Sequence, residues 1–186
     1  CPRDKQIRFD THGYAHDPGG RWAATLQPDC IAVEALIEQR CAVLLGEAGI
    51  GKSDALGQLH EYATGVGIIL KLDLGEYADV SQLSDDLFNS SIFREWRRGD
   101  GRLFLLLDSL DEALIGVRNI VGLFQRKFED LPFERLHLYI SCRTSAWPET
   151  LTQHLIGCFG EQGISLYQLV PLSRPDVVLA ATHAGL

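Results

Sequence analysis

Residues Cys41-Ala42-Val43-Leu44-Leu45 form an unbroken apolar run that passes directly into Gly46-Glu47-Ala48-Gly49-Ile50-Gly51-Lys52-Ser53. A short run with no polar break reads as a strand covered on both faces. The eight residues after it match G-x-x-x-x-G-K-[ST] in full. The chemistry explains the residue types. Gly46, Gly49 and Gly51 let the backbone curl into a nest whose N–H groups point inward at phosphate oxygens. A helix starting at about Lys52 adds its positive end to the same point. Gly46, Glu47, Ala48, Gly49, Ile50, Gly51, Lys52, Ser53 and Asp54 are therefore the expected nucleotide-binding residues. Lys52 reaches the β- and γ-phosphates as a point charge, and the Ser53 hydroxyl offers one oxygen ligand to Mg²⁺. The alternative is a Gly-rich turn between a strand and a helix that happens to carry a lysine; the full motif in its required context, strand before and helix after, favours the phosphate loop.

Along the rest of the chain, apolar runs alternate with helical periodicity. Residues 1–27 are polar and broken by Gly13, Pro18, Gly19 and Gly20, with a short strand expected at Ile7-Arg8-Phe9. His12 and His16, with Asp10 and Asp17 nearby, lack the helix or cysteine partners of a metal site and read as surface residues. A helix is expected from Pro28-Asp29 to Arg40 and another from Lys52 to about Thr64. Next comes a strand at Ile68–Leu74, apolar enough to be covered on both faces. The helical stretch from about Val80 to Arg97 breaks near Asn89-Ser90-Ser91. Strands at Leu103–Asp108, Leu136–Ser141 and Ile164–Leu169 are separated by helices at about Leu114–Asp130 and Pro148–Phe159. This alternation predicts a three-layer α/β/α fold with a mainly parallel five-stranded sheet.

In open sheets of this kind ligands bind beyond the carboxyl ends of the strands, so the residues at the end of each apolar run are the ones to inspect. The third run ends in Leu105-Leu106-Leu107-Asp108-Ser109-Leu110-Asp111-Glu112, the Walker B pattern, so Asp108 is the expected Mg²⁺ partner, directly or through water. Asp111 or Glu112 could polarise an attacking water as general base, or serve as an acidic start to the next helix. The fourth run ends in Ser141-Cys142-Arg143-Thr144. Arg143 could contact a γ-phosphate through its charged fork, or pair with Asp111 or Glu112. The catalytic candidates are thus Lys52, Asp111, Glu112 and Arg143, with Ser53 and Asp108 on the metal. No guanine-reading Asn/Thr-Lys-x-Asp motif lies after the fourth strand, so ATP or ADP with Mg²⁺ is the expected ligand.

Taken in order, Gly46–Ser53, Leu105–Ala113 and Ile140-Ser141-Cys142-Arg143 resemble the NTPase domain of STAND proteins, in particular the NACHT clade, over residues 28–186. The resemblance implies a P-loop NTPase fold of the additional-strand class. It implies a switch that binds ATP, hydrolyses it slowly and couples nucleotide state to self-association through the NTPase domain, with effector and sensor domains outside this stretch. Many bacterial members act in antiviral defence. It also implies a division into a lead-in segment (1–27), the NTPase domain (28–170) and the start of a helical lid domain (171–186). Ser109 stands where the family more often has glycine, a departure expected to be harmless. The alternative is an AAA-type motor or loader acting on nucleic-acid complexes, which faster, substrate-stimulated turnover would mark.

Composition sets the remaining limits. Hydrophobic residues make up 46% and charged residues 23% of 186, ordinary for a folded domain. The net charge of −8 argues against nucleic acid as a partner of the whole surface, and Arg94, Arg97 and Arg98 read as a solvated helix end. No run approaches the roughly 18 apolar residues of a membrane span. The five cysteines contain no C-x-x-C pair, which suits small apolar residues in a reducing, cytoplasmic setting. The absence of methionine, even at position 1, reads as a sign of a longer protein.

Overall fold

The computed structural model describes residues 1–3, 5, 14, 29–117, 119–171 and 174–183. Its centre is a five-stranded sheet in the order β2-β3-β4-β1-β5, made of β1 (Cys41–Leu45), β2 (Ile68–Asp73), β3 (Leu103–Asp108), β4 (Leu136–Cys142) and β5 (Ile164–Gln168). Every pairing is parallel. Each strand must therefore be reached by a crossover, and the helices of these crossovers cover both faces. β4 is inserted between β1 and β3, which is the additional-strand arrangement of P-loop NTPase-like folds. The helices are α1 (Lys52–Ala63), α2 (Val80–Phe88), α3 (Ser91–Arg98), α4 (Leu110–Gly116), α5 (Ile120–Phe128), α6 (Glu149–Phe159) and α7 (Arg174–His183). The expected strand at Ile7-Arg8-Phe9 and the pair His12 and His16 lie outside the described residues.

Side chains alternate across each strand, so one sequence run feeds two cores. Ala42, Leu44, Phe104, Leu106 and Tyr139 meet Leu36 and the inner side of α1, namely Ala55, Leu56, Leu59 and Ala63. Cys41, Val43, Leu45, Leu105, Leu107, Leu138 and Ile140 meet the helices of the other face, with Phe93, Trp96, Phe124 and Phe128 among the contributors. The three central strands are buried at every position. That is why they read as uninterrupted apolar runs.

Three expectations change. β2 is not covered on both faces: among the described residues it is an edge strand paired with β3 alone, and Lys71 and Asp73 are exposed. The helix expected over 29–40 is a short 3-10 turn, Val33–Glu38, with no side-chain cap at Ala32. The Tyr139 hydroxyl lies 3.1 Å from the carbonyl oxygens of both Leu36 and Ile37, so the sheet takes over the carbonyls that a longer helix would have used. The helix expected over 114–130 starts earlier and breaks in two. Asn119 sits between α4 and α5 with φ 63°, a left-handed conformation that asparagine tolerates and a continuous helix does not. At the other edge, Cys1–Arg3 lies antiparallel to β5: Pro2 bridges Tyr167, and the Arg3 amide donates to the Leu166 carbonyl at 3.0 Å.

Candidate functional site

The loop from Gly46 to Gly51 leaves the carboxyl end of β1 and turns directly into α1. Gly49 (φ 76°) and Gly51 (φ 96°) take up left-handed backbone, which glycine enters without the Cβ cost of other residues. Gly46 is needed for a different reason from the one expected. Its backbone is not left-handed, but a Cβ there would meet Ile50 Cγ2 at 2.7 Å. The first intrahelical bond of α1 runs from the Ala55 amide to the Gly51 carbonyl at 2.9 Å. The amides of Lys52, Ser53 and Asp54 are thus the orphan donors of a helix start, available to an anion. Asp54 is exposed in this turn. Its carboxylate complements the helix dipole, and it can serve a phosphate only through its amide.

Lys52 folds back over the loop, donating from Nζ to the carbonyl oxygens of Gly46 and Glu47, both at 2.9 Å. An ammonium has three donors, so one is left for a ligand. The side chain of Ser53 is exposed on the same turn.

Register brings the acids to this edge. β2 and β3 align Asp73 with Asp108, and β3 and β4 align Leu107 with Ile140, so Asp108 and Ser141 fall on the next rung. Asp108 is 5% exposed. Its Oδ1 accepts the Ser141 hydroxyl and the Ser109 amide, the latter at 2.9 Å. The Ser109 amide also lies 3.0 Å from Ser141 Oγ. Oδ2 of Asp108 has no protein partner among the described residues. The uncommitted Asp108 oxygen, at the carboxyl end of β3, and the exposed Ser53 hydroxyl, beyond that of β1, are both oxygen donors. That suits Mg²⁺, which keeps waters and takes phosphate oxygens for the rest.

Asp111 and Glu112 lie in the first turn of α4, but they are differently engaged. Asp111 is 7% exposed. It clasps the residue after β4 at two points: Oδ1 accepts the Arg143 amide at 3.0 Å, and Oδ2 pairs with Arg143 Nε at 2.8 Å. Glu112 is exposed and has no hydrogen bond or ion pair within the described chain. It leans over the 3-10 turn Leu74–Glu76 that comes after β2, where a Cβ on Gly75 would come within 2.7 Å of Oε2. Of the two acids, Glu112 alone presents a free carboxylate. Arg143 is half-exposed, and its terminal nitrogens have no protein partner among the described residues.

The remaining neighbours are inert or unpaired. Burial, reinforced by the nearby Asp111 carboxylate, pushes the Cys142 thiol up to about 12, which removes it as a nucleophile. Thr144 Oγ1 is buried without a hydrogen-bond partner among the described residues. Ser141 and Gly75 were not among the candidates from sequence. The signal for Ser141 was a hydroxyl at the end of an otherwise apolar strand; Gly75 gave none, because its role depends on α4 packing against the turn after β2. Ser109 is not neutral either: it is left-handed, φ 57°, where glycine fits without strain and a serine costs about 1 kcal/mol.

No family model matches this sequence, and no curated protein matches it. Among solved structures, the chain is similar to AMPPCP-bound DnaA from Aquifex aeolicus at 17% identity and a TM-score of 0.48, over 85% of this chain and 48% of that one. The chain thus spans about half the length of that protein.

Proposed function

We propose that this chain is the nucleotide-binding core of an ATP-dependent molecular switch of the STAND type, NACHT-like, acting in signalling or defence. It binds ATP or ADP with Mg²⁺, hydrolyses ATP slowly, and couples nucleotide state to self-association and to effector and sensor regions beyond these residues. The amides at the start of α1 and the Lys52 ammonium hold the phosphates. Ser53 and Asp108 hold Mg²⁺, which when bound neutralises charge developing on the phosphate oxygens. Glu112 orients the attacking water and accepts its proton. Arg143 meets the γ-phosphate with its free terminal nitrogens.

The observation that carries this reading is the clasp between Asp111 and Arg143. An arginine held at its Nε by one carboxylate, with its outer nitrogens unused at the phosphate rim, has donors left for a second anionic partner. Nucleotide state can therefore shift it, together with the end of β4. Asp111 is accordingly a holder of Arg143, and the base role falls to Glu112.

The test pairs binding with turnover. Lys52→Ala removes a charged donor, a loss of about 1.5–3 kcal/mol, and should weaken nucleotide binding by roughly 10- to 150-fold in equilibrium dialysis. The unaltered protein should keep nucleotide through purification and turn over slowly. Unchanged binding by the Lys52 variant would overturn the site. Rapid turnover stimulated by nucleic acid would replace the switch with an AAA-type motor or loader.

A further inference from the structure

We infer that Ser141 is a positioning residue for the metal site, fixing the Asp108 carboxylate and the start of α4 in one hydrogen-bonded ring. The inference rests on the proposed role of Asp108 beside Mg²⁺ and adds the residue that makes that role sterically defined. Ser141 is fully buried and is placed beside Asp108 by the β3–β4 register. Its hydroxyl has a single hydrogen, which goes to Asp108 Oδ1. Its oxygen then faces the Ser109 amide at 3.0 Å, while that same amide reaches Asp108 Oδ1 at 2.9 Å. The ring closes on three groups, all from the carboxyl edge of the sheet.

The ring has two consequences. First, two protein donors on Oδ1 fix the plane of the carboxylate and leave Oδ2 as its uncommitted oxygen; without the hydroxyl, one donor is lost and the carboxylate can rotate about the Cβ–Cγ bond out of that plane. Second, Ser109 is the left-handed residue that starts α4. A conformation of that kind persists only where its surroundings hold it. Ser141 thereby ties the metal-facing acid to the helix that carries Asp111 and Glu112, although it touches neither nucleotide nor metal. Partners of this type, one bond away from a ligand, typically govern about 10- to 100-fold in metal affinity.

The experiment measures binding of a fluorescent ATP analogue, titrated with Mg²⁺ and separately in EDTA. Ser141→Ala should raise the Mg²⁺ concentration needed for half of the metal-dependent gain in affinity by about 10- to 100-fold. Affinity in EDTA should stay within about twofold, since the loop and Lys52 are untouched. Ser141→Thr, which keeps the hydroxyl, should restore the Mg²⁺ requirement to within about threefold. A merely structural role would shift both titrations together and gain nothing from threonine in particular. Should Ser141→Ala fail to fold, Ser141→Cys keeps the volume with a weaker donor and should give the same selective loss. Asp108→Asn separates the two failures. If it leaves the Mg²⁺ titration unchanged, the metal reading itself is wrong; if it abolishes the Mg²⁺ gain while Ser141→Ala does not move it, the positioning role alone is overturned.

Discussion

At the scale of single residues, the site separates groups that sequence leaves equivalent. Asp111 and Glu112 are adjacent acids in one helical turn, yet one is buried on Arg143 and the other is exposed and unpaired among the described residues. Their substitutions should therefore differ. Glu112→Gln should lower the hydrolysis rate by about 10²- to 10⁴-fold, the range of a lost general base, with ATP affinity little changed. Asp111→Asn should act mainly on nucleotide retention, because it frees the guanidinium. Single-turnover hydrolysis beside dissociation of prebound nucleotide reads both effects, and equal losses from the two variants would reject the assignment. Gly75 supplies an independent check. A methyl group there collides with Glu112 Oε2 and comes within 3.3 Å of Asp73 Oδ1, so Gly75→Ala should lower kcat while leaving KM near its original value.

At the scale of elements, burial decided what the sequence could reveal. β1, β3 and β4 are buried on both faces, so their apolar runs marked them and their ends marked the rim. β2 shares the apolar run but not the burial, because strand order, which determines that it is an edge, depends on pairing between distant segments. The choice of Arg143 as the partner of Asp111, and of Ser141 as the partner of Asp108, likewise depends on register. The amino-terminal end of the central strand β4 carries a pH effect that also depends on packing between distant segments. His137 in β4 stacks on Phe104 with ring centroids 4.7 Å apart, and its Nδ1 lies 3.0 Å from the Gln39 carbonyl. Burial lowers its pKa below the ordinary 6.5, and Arg102 and Arg40 act in the same direction, against the Gln39 hydrogen bond and Glu38. A folded state that disfavours imidazolium binds fewer protons than the unfolded chain once pH falls below the ordinary value. Stability is therefore complete above about 6.5 and is lost as pH falls, by at most about 1.4 kcal/mol per pH unit for one proton. His154 shifts the same way through burial. Urea unfolding at pH 7.0 and 5.5 should show this loss, and His137→Gln should reduce the slope without abolishing it; an unchanged slope would show that His137 is protonated in the fold.

At the scale of the whole molecule, charge sets the terms on which a nucleotide can bind. The chain carries a net charge of −8, and the carboxyl edge of the sheet gathers Asp54, Asp73, Asp108, Asp111 and Glu112 around the cations Lys52 and Arg143. One of those cations is already paired with Asp111. A triphosphate brings further negative charge to that edge, so the loop amides and Lys52 must work against repulsion unless a divalent cation accompanies the ligand. Mg²⁺-ATP at about one hundred times its Kd should stabilise the fold by about 2.7 kcal/mol. For a domain of this size that corresponds to a rise in Tm of about 5–10 °C. In EDTA the same ATP concentration should give a much smaller rise. Added salt then distinguishes the cause: if acidic repulsion limits Mg²⁺-free binding, raising ionic strength from about 0.05 to 0.3 M should strengthen it by screening. A phosphate site governed by the loop and Lys52 alone would instead lose affinity with salt under every condition, because only attraction would be left to screen. Differential scanning fluorimetry across these four conditions thus decides whether the acids or the loop dominate the field that a nucleotide meets.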